Sequence, residues 1–171
     1  GDGHAYASPE SPWRVTASQA QAGTYSYHPG PDSGSYAPNV CAALTSPTLS
    51  LTAGAVLSYW VRYNVEYQWD GVVVEISTNG GASWSDLPPT TPAGYPSNLS
   101  QTQGNGCGYP ASQGAFNSPS GNAALTAWTQ YQTSLAAYAG QNVKIRWRFT
   151  SDGGAEYEGF YLDNVTVTSV N

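Results

Sequence analysis

The chain has 171 residues, only 9% of which are charged, and its formal net charge is −6. This length is enough for one domain with a hydrophobic core, and no apolar run is long enough to span a bilayer. The acidic balance argues against a nucleic-acid partner and gives no attraction to an anionic membrane. Gly and Pro are frequent, but 13 Tyr and 6 Trp supply the apolar surface that disordered chains lack. The composition is therefore typical of a secreted, extracellular all-β domain.

Alternation of apolar and polar residues with period two predicts a series of short strands. In chain order they occupy residues 24–27, 47–51, 56–66, 72–77, 129–134, 143–149 and 160–167. Residues 134–140 are expected to form one helical turn or a loop. In three of the strands, apolar residues share one face and are predicted to point into the core: Leu57, Tyr59, Val61, Tyr63, Val65, Val72, Val74, Ile76, Val143, Ile145, Trp147 and Phe149.

About seven to ten short strands with Gly- and Pro-rich turns predict an all-β fold, a two-sheet antiparallel β-sandwich of the jelly-roll type. We expect a single domain over residues 1–171. An immunoglobulin-like topology is the main competitor, and it fits less well because Cys107 lies outside the strand pattern. Residues 88–127 interrupt that pattern as a long Pro- and Gly-rich loop, and loops of this length are often functional.

Cys41 and Cys107 are the two cysteines of the chain. An even pair in a chain of this composition predicts one disulfide formed in an oxidising compartment. Such a bond would join the long loop to the body of the domain and contribute roughly 4 kcal/mol in the chain-entropy model. Two buried free thiols are the alternative.

Asp163 lies inside the last predicted strand, next to Leu162 and Val165. A carboxylate in an apolar strand is costly unless a cation, a set of backbone N–H donors or a metal ion pairs with it. The chain has five Lys and Arg but eleven Asp and Glu, so most carboxylates lack a basic partner. A hard cation such as calcium is therefore a candidate partner.

Three segments carry a family resemblance. They read VCAALTSP at 40–47, WDGVVVEISTNGGASW at 69–84, and YAGQ at 138–141 followed by VKIRWRF at 143–149 and GFYLDNV at 159–165. Together they resemble the jelly-roll accessory domain of secreted bacterial metallopeptidases of the immune-inhibitor-A type. The same segments are more distantly similar to MAM domains and to the subdomains of reelin repeats. The resemblance covers roughly residues 24–168 and implies a jelly-roll fold, with little information about the ligand.

The resemblance also implies a structural calcium ion where an N-terminal loop meets the last strand. The matching residues are Asp32 and Asp163, with Asp2 as a further ligand. Calcium takes six to eight oxygen ligands, so backbone carbonyls and waters would complete the site. Weaker candidates are acidic residues at strand ends: Glu66, Asp70, Asp152, Glu156 and Glu158. The alternative is that Asp163 accepts ordinary hydrogen bonds without a metal.

No catalytic constellation is evident. The two histidines, His4 and His28, belong to no His-Glu-x-x-His zinc motif, and the Asp32-Ser33-Gly34 stretch lacks the flanking glycines of a serine nucleophile loop. Glu156 and Glu158 lie in a short acidic loop, where a solvated or metal-proximal role fits better than a glycosidase pair. We therefore expect a domain that is not an enzyme.

Two groups of residues are candidates for ligand binding. The first combines outward residues of two strands, Trp60 and Arg62 with Arg146, provided that both strands share a sheet. Aromatic rings and hydrogen-bonding groups on one face suit sugars, whereas a salt-bridged face, for example Arg62 or Arg146 with Glu75, is the alternative. The second group consists of loop aromatics: Trp69, Tyr95, Tyr109 and Tyr157.

These observations predict a secreted, calcium-stabilised, non-catalytic accessory domain appended to a secreted hydrolase of the peptidase type. Its expected partners are a glycan or protein surface, a polymer, or the catalytic domain of the same parent chain. A carbohydrate-binding or lectin-like module is the leading alternative. A structural or adhesive subunit that makes protein–protein contacts is the third possibility.

Overall fold

The computed structural model describes residues 8–100, 104–118 and 124–169. Their strands are β1 (Ser8–Pro9), β2 (Arg14–Thr16), β3 (Ser26–His28), β4 (Cys41–Thr45), β5 (Leu49–Ser50), β6 (Val56–Asn64), β7 (Gly71–Ser77), β8 (Ser85–Asp86), β9 (Ser97–Asn98), β10 (Gly114–Ala115), β11 (Leu125–Ser134), β12 (Asn142–Thr150) and β13 (Gly159–Val167). A short 3-10 helix, Ala136–Tyr138, lies in the segment expected to form a turn. Within these residues no helix has the length and apolarity needed to cross a bilayer.

The strands form two large antiparallel sheets. The first sheet has the order β1-β4-β12-β7-β8, with β5 also paired to β12, and the second has the order β11-β6-β13-β3-β2. A separate small pair joins β9 and β10. The predicted all-β class with two antiparallel sheets is confirmed.

The core lies between the two sheets. Tyr59 of β6 in the second sheet meets Trp147 of β12 in the first sheet edge to face, with ring centroids 5.6 Å apart. Every apolar residue predicted to point inward is buried. This agreement follows from the fixed two-residue period of a strand, which assigns the whole set of alternate side chains to one face.

The long loop is part of the fold. It packs against the outer face of the first sheet, where Val73 of β7 is buried in a small cluster with Leu99, Tyr109 and Ala115. The next residue of the loop, Phe116, enters the main core between the sheets. β7 is therefore buried on both faces, which explains its nearly continuous apolar sequence.

Cys41 and Cys107 form the predicted disulfide, so the alternative of two free thiols is wrong. Cys41 begins β4, in the first sheet, and Cys107 lies in the long loop. The chain packs closely beside the bond. A Cβ built on Gly106 would clash with the carbonyl oxygen of Val40. The disulfide thus attaches the loop to the edge of β4.

Two connections cross from one sheet to the other at the same end of the sandwich. β6 leads to β7 through residues 65–70, and β12 leads to β13 through residues 151–158. Cross-strand pairs place the two connections together, since Gly159 pairs with Asn64 and Thr150 pairs with Gly71. This end of the sandwich carries the candidate site.

Candidate metal centre

Three carboxylates converge at the end of the sandwich where the two connections meet. Glu66 and Asp70 come from the β6–β7 connection, and Asp152 comes from the β12–β13 connection. One carboxylate oxygen of each residue lies within 4.8 Å of those of the other two. Asp70 is fully buried, whereas Glu66 and Asp152 are partly buried. Residues far apart in sequence thus form one acidic cluster.

Hydrogen bonds hold the buried carboxylate in place. The hydroxyl of Tyr36 donates to Asp70 Oδ2 at 2.5 Å, and the backbone N–H of Asp152 donates to Asp70 Oδ1 at 2.8 Å. The Tyr36 oxygen also accepts a hydrogen bond from the backbone N–H of Glu66 at 3.1 Å. Tyr36 and Asp70 therefore link both cross-sheet connections to the loop that precedes β4.

Asn117, at the end of the long loop, fixes the conformation of the β6–β7 connection. Its Nδ2 donates to the carbonyl oxygens of Glu66 and Asp70, at 3.1 and 2.7 Å, and its Oδ1 accepts from the backbone N–H of Gln68 at 3.0 Å. Gln68 has a positive φ of 68°, a conformation that is uncommon outside glycine and needs such support. The turn that carries two of the carboxylates is thus rigidly positioned.

The electrostatics of the cluster disfavour the charged form of its members. Burial raises the pKa of Asp70 to about 7, and the charges of Asp152 and Glu66 add to the rise, against the lowering effect of its hydrogen bonds. Burial, followed by the charges of Asp152 and Glu156, also raises the pKa of Glu66. None of the ion pairs found within the described residues involves the cluster. A cation would relieve both the burial and the repulsion.

The donor set fits calcium. Calcium–oxygen distances are roughly 2.3–2.6 Å, so two ligands of one ion lie up to about 5 Å apart, as these oxygens do. Glu66 Oε2 is buried and has no hydrogen-bond partner among the described residues. Buried oxygen atoms normally accept a hydrogen bond, and a cation would take the place of the missing donor. Hard carboxylate oxygens, rather than His or Cys, make up the cluster. Carboxylates of this kind are typical calcium ligands.

Comparisons with known proteins agree with this architecture. The sequence profile of the immune inhibitor A-like MAM domain matches residues 13–171. The chain belongs to this family. No curated protein matches the sequence significantly.

Solved structures of two adhesin domains share the fold of this MAM-like domain. The K1 adhesin domain of Lys-gingipain from Porphyromonas gingivalis has 16% identity and a TM-score of 0.56, with 95% of this chain and 89% of that chain covered. The K2 adhesin domain of Lys-gingipain has 15% identity and a TM-score of 0.54, covering 96% of this chain and 90% of that one. The xylan-binding domain CBM22-1 of Paenibacillus barcinonensis Xyn10C is less similar, with 12% identity, a TM-score of 0.47 and coverage of 96% and 85%. At these identities the gingipain domains establish the fold alone.

Asp163 lies apart from the acidic cluster of the MAM-like domain. It is fully buried, and its Oδ2 accepts hydrogen bonds from the backbone N–H groups of Gln21 and Ala22, at 2.8 and 3.2 Å. Its Oδ1 accepts from the backbone N–H of Asn164 at 2.7 Å. These backbone donors offset the cost of burying the carboxylate, and calcium at Asp163 stays a prediction. Asp2, the third predicted ligand, lies outside the described residues.

Asp32 and Glu158 have other partners. Asp32 is exposed, accepts a hydrogen bond from Thr16 Oγ1 at 2.5 Å, and lies 3.4 Å from Arg14 Nη2. Glu158 accepts from the hydroxyl of Tyr161 at 3.1 Å. Of the predicted metal ligands, the structure therefore brings together Glu66 and Asp70, which were the weaker candidates, with Asp152.

The first group of candidate ligand-binding residues does not form one surface. Trp60 and Arg62 lie on β6 of the second sheet, whereas Arg146 lies on β12 of the first sheet. Arg146 also has partners already, because its Nε donates to Glu75 Oε2 at 2.6 Å and its guanidinium lies 4.2 Å from the ring centroid of Trp84. The condition that both strands share a sheet is not met, and the salt bridge considered as the alternative is present.

The loop aromatics do not form one exposed surface either. Tyr95 packs against Phe116 at 5.4 Å between ring centroids, Tyr109 is buried on the outer face of the first sheet, and Tyr157 packs against the core. Trp69 differs, because it lines a cleft together with residues of the acidic cluster. It is the member of this group that the fold brings to the candidate site.

Two residues that position the site were not predicted from the sequence. Tyr36 and Asn117 lie in irregular segments, and no local pattern links either residue to Asp70. The Asp-Gly pair at 70–71, between two strongly alternating strands, is the one local signal of a constrained acidic turn.

Proposed function

We propose that this MAM-like domain is a non-catalytic, extracellular binding module of a secreted peptidase, stabilised by a calcium ion bound to Glu66, Asp70 and Asp152. The observation that carries the metal is the convergence of three carboxylates, one of them fully buried, without a paired Lys or Arg among the described residues. The disulfide supports an oxidising, extracellular location. The family supports attachment to a peptidase of the immune-inhibitor-A type.

The calcium is proposed at this cluster rather than at Asp32 and Asp163 for a physical reason. Both oxygens of Asp163 already accept backbone hydrogen bonds, and Asp32 is exposed beside Arg14, whose charge opposes cation binding. At the cluster, the hydrogen bonds to Asp70 offset burial and like charges only in part, so the pKa values of Asp70 and Glu66 remain raised. The binding free energy of a divalent cation is most favourable where negative charges repel one another around the site.

The ion would act as a structural link. Glu66 and Asp70 belong to one cross-sheet connection and Asp152 to the other, so binding joins two segments that also flank the cleft. The proposed partners are a glycan or protein surface, or the catalytic domain of the same parent chain. A domain of this kind holds its loops rigid for binding and supplies no reacting group.

Calcium titration of the EGTA-treated domain by calorimetry and by thermal unfolding tests the metal. Calcium is expected to bind and to raise the Tm, and both effects should disappear in Asp70→Asn and weaken in Asp152→Asn. Asp32→Asn is the matched control, because it removes an acidic group outside the cluster. Loss of calcium binding in the control instead of the cluster variants would contradict the proposed site, and no binding to the wild type would contradict the metal altogether.

The absence of catalysis is tested separately. We expect the purified domain to show no turnover of peptide, ester or glycoside substrates, with or without calcium. Turnover that persists through purification and disappears in Glu66→Gln or Asp152→Asn would contradict the proposal and make the acidic cluster an active site.

A further inference from the structure

A cleft of about 440 Å³ opens beside the acidic cluster. Its lining consists of Glu66, Trp69 and Asp152 together with residues 153–155. This volume falls within the roughly 300–1,000 Å³ of typical small-molecule sites. A Cβ added at Gly154 would meet no atom within 4 Å, so the wall on that side leaves open space above the backbone. The cleft therefore has room for a ligand of the size of one sugar ring.

The chemistry of the lining restricts the ligand. Trp69 is partly exposed in the cleft and offers an aromatic surface, whereas Glu66 and Asp152 offer oxygen atoms that accept hydrogen bonds or bind a cation. Glu66 and Asp152 both line the cleft, and burying their carboxylates under a purely apolar ligand would leave them without hydrogen-bond partners. Even with a divalent cation bound, three ionised carboxylates without a paired Lys or Arg leave a net charge of about −1, which disfavours phosphates and uronic acids. A neutral ligand with an apolar face and several hydroxyl groups remains.

We propose that this cleft binds a neutral pyranose unit of a glycan in a calcium-dependent manner. Trp69 packs against the C–H face of the sugar ring, and two neighbouring hydroxyl groups of the sugar replace water at the cation held by Glu66, Asp70 and Asp152. This inference rests on the calcium site of the proposed function and adds the class of ligand to it. Aromatic stacking combined with a few oriented polar groups is the usual basis of specificity in such pockets.

Other aromatic residues do not offer the same combination. Tyr95 and Tyr109 pack within the fold, and Trp84 is covered by the guanidinium of Arg146. Trp60 is partly exposed, like Trp69, but it lies within β6 and outside the lining of this cleft. Trp60→Ala is therefore a matched control for Trp69→Ala, since both remove one partly buried tryptophan.

The test first measures calcium binding by calorimetry and then glycan binding by affinity electrophoresis through gels that contain mannan, galactan, xylan or β-glucan. Methyl pyranosides of mannose, galactose, xylose and glucose serve as soluble competitors. We expect retardation by at least one polysaccharide in calcium, none in EGTA, and a loss of about tenfold or more in affinity in Trp69→Ala. Trp60→Ala should retain the wild-type affinity, and Trp69→Phe should recover part of it.

The outcomes separate the two proposals. Calcium binding without retardation by any of the four polysaccharides overturns the glycan inference and leaves the metal site in place. Glycan binding that is unchanged in EGTA, or that is lost in Trp60→Ala and kept in Trp69→Ala, also overturns it. If calorimetry detects no calcium binding, both proposals fail. Circular dichroism of each variant establishes that a loss of binding is not a loss of folding.

Discussion

Raising the pH in the absence of calcium is expected to destabilise the domain, because Asp70 must lose a proton that the folded state retains. Burial raises the pKa of Asp70 from 3.8 to about 7 in the folded domain. A folded-state pKa above the unfolded one means that the stabilisation is complete below the unfolded value and is lost as the pH rises through the folded value. The loss should therefore occur between about pH 4 and pH 7.

The size of the effect follows from the shift. At about 1.4 kcal/mol per pKa unit, a rise from 3.8 to about 7 corresponds to roughly 4 kcal/mol of unfolding free energy. For a chain of this length that is a fall in Tm of about 8–16 °C. Glu66 contributes in the same direction, since its pKa is also raised. The proposed calcium ion would bind the ionised form, and at a free concentration of 100 times its Kd it would restore about 2.7 kcal/mol.

Urea denaturation in EGTA across this pH range, followed by circular dichroism, measures the effect. Asp70→Asn is the decisive comparison, because it removes the titrating group and keeps an acceptor for the N–H of Asp152. The stability of the wild type relative to the variant should fall as the pH rises. Parallel pH profiles of the two proteins, or a relative gain by the wild type, would refute the reasoning.

Three further predictions concern the fold. The double variant of Cys41 and Cys107 to Ala should lose roughly 4 kcal/mol of stability through loop entropy, and an unchanged urea midpoint would contradict this. Phe116→Ala should cost about 3–5 kcal/mol because the ring lies in the core, and a urea midpoint equal to that of the wild type would contradict this. Gly71→Ala should destabilise by about 1–3 kcal/mol, since its Cβ would lie 2.7 Å from the Phe116 carbonyl oxygen, and a neutral result in thermal unfolding would show that the long loop yields easily.

The strands with strict alternation were predictable because register and burial follow from the same period. β12 illustrates this, with Val143, Ile145, Trp147 and Phe149 all buried. β4 was not predicted as a strand, because its inward and outward positions are occupied by similar small residues, and three consecutive positions are buried. The start of β11 was placed four residues late, at 129, where its pairing with β6 becomes regular after an irregularity.

The candidate site was less predictable because long-range contacts assemble it. An acidic residue at a strand end is a common feature, and apart from the Asp-Gly pair at 70–71 no local property distinguishes Glu66 and Asp70 from Asp32 or Glu158. Two of the three N–H donors to Asp163 come from residues more than 140 positions earlier, so most of its compensation is also invisible in the local pattern. Which residues meet at a site depends on which strands share a sheet. The same assignment places Trp60 and Arg146 in different sheets.

The contrast between two buried aspartates explains why the acidic cluster, and not the last strand, is the place to expect function. Asp163 is compensated by backbone donors, so the fold itself stabilises its charge. Asp70 has a tyrosine hydroxyl and one backbone donor, yet it also faces two further carboxylates whose charges oppose its ionisation. The repulsion among these buried carboxylates lowers the stability of the fold, and apolar residues at the same positions would remove it. The cluster nevertheless lies where two rigid connections meet, beside an open cleft, and such local conflicts are typical of functional sites. The proposed cation would turn this cost into affinity and would leave coordination positions for a ligand that enters the cleft beside Trp69.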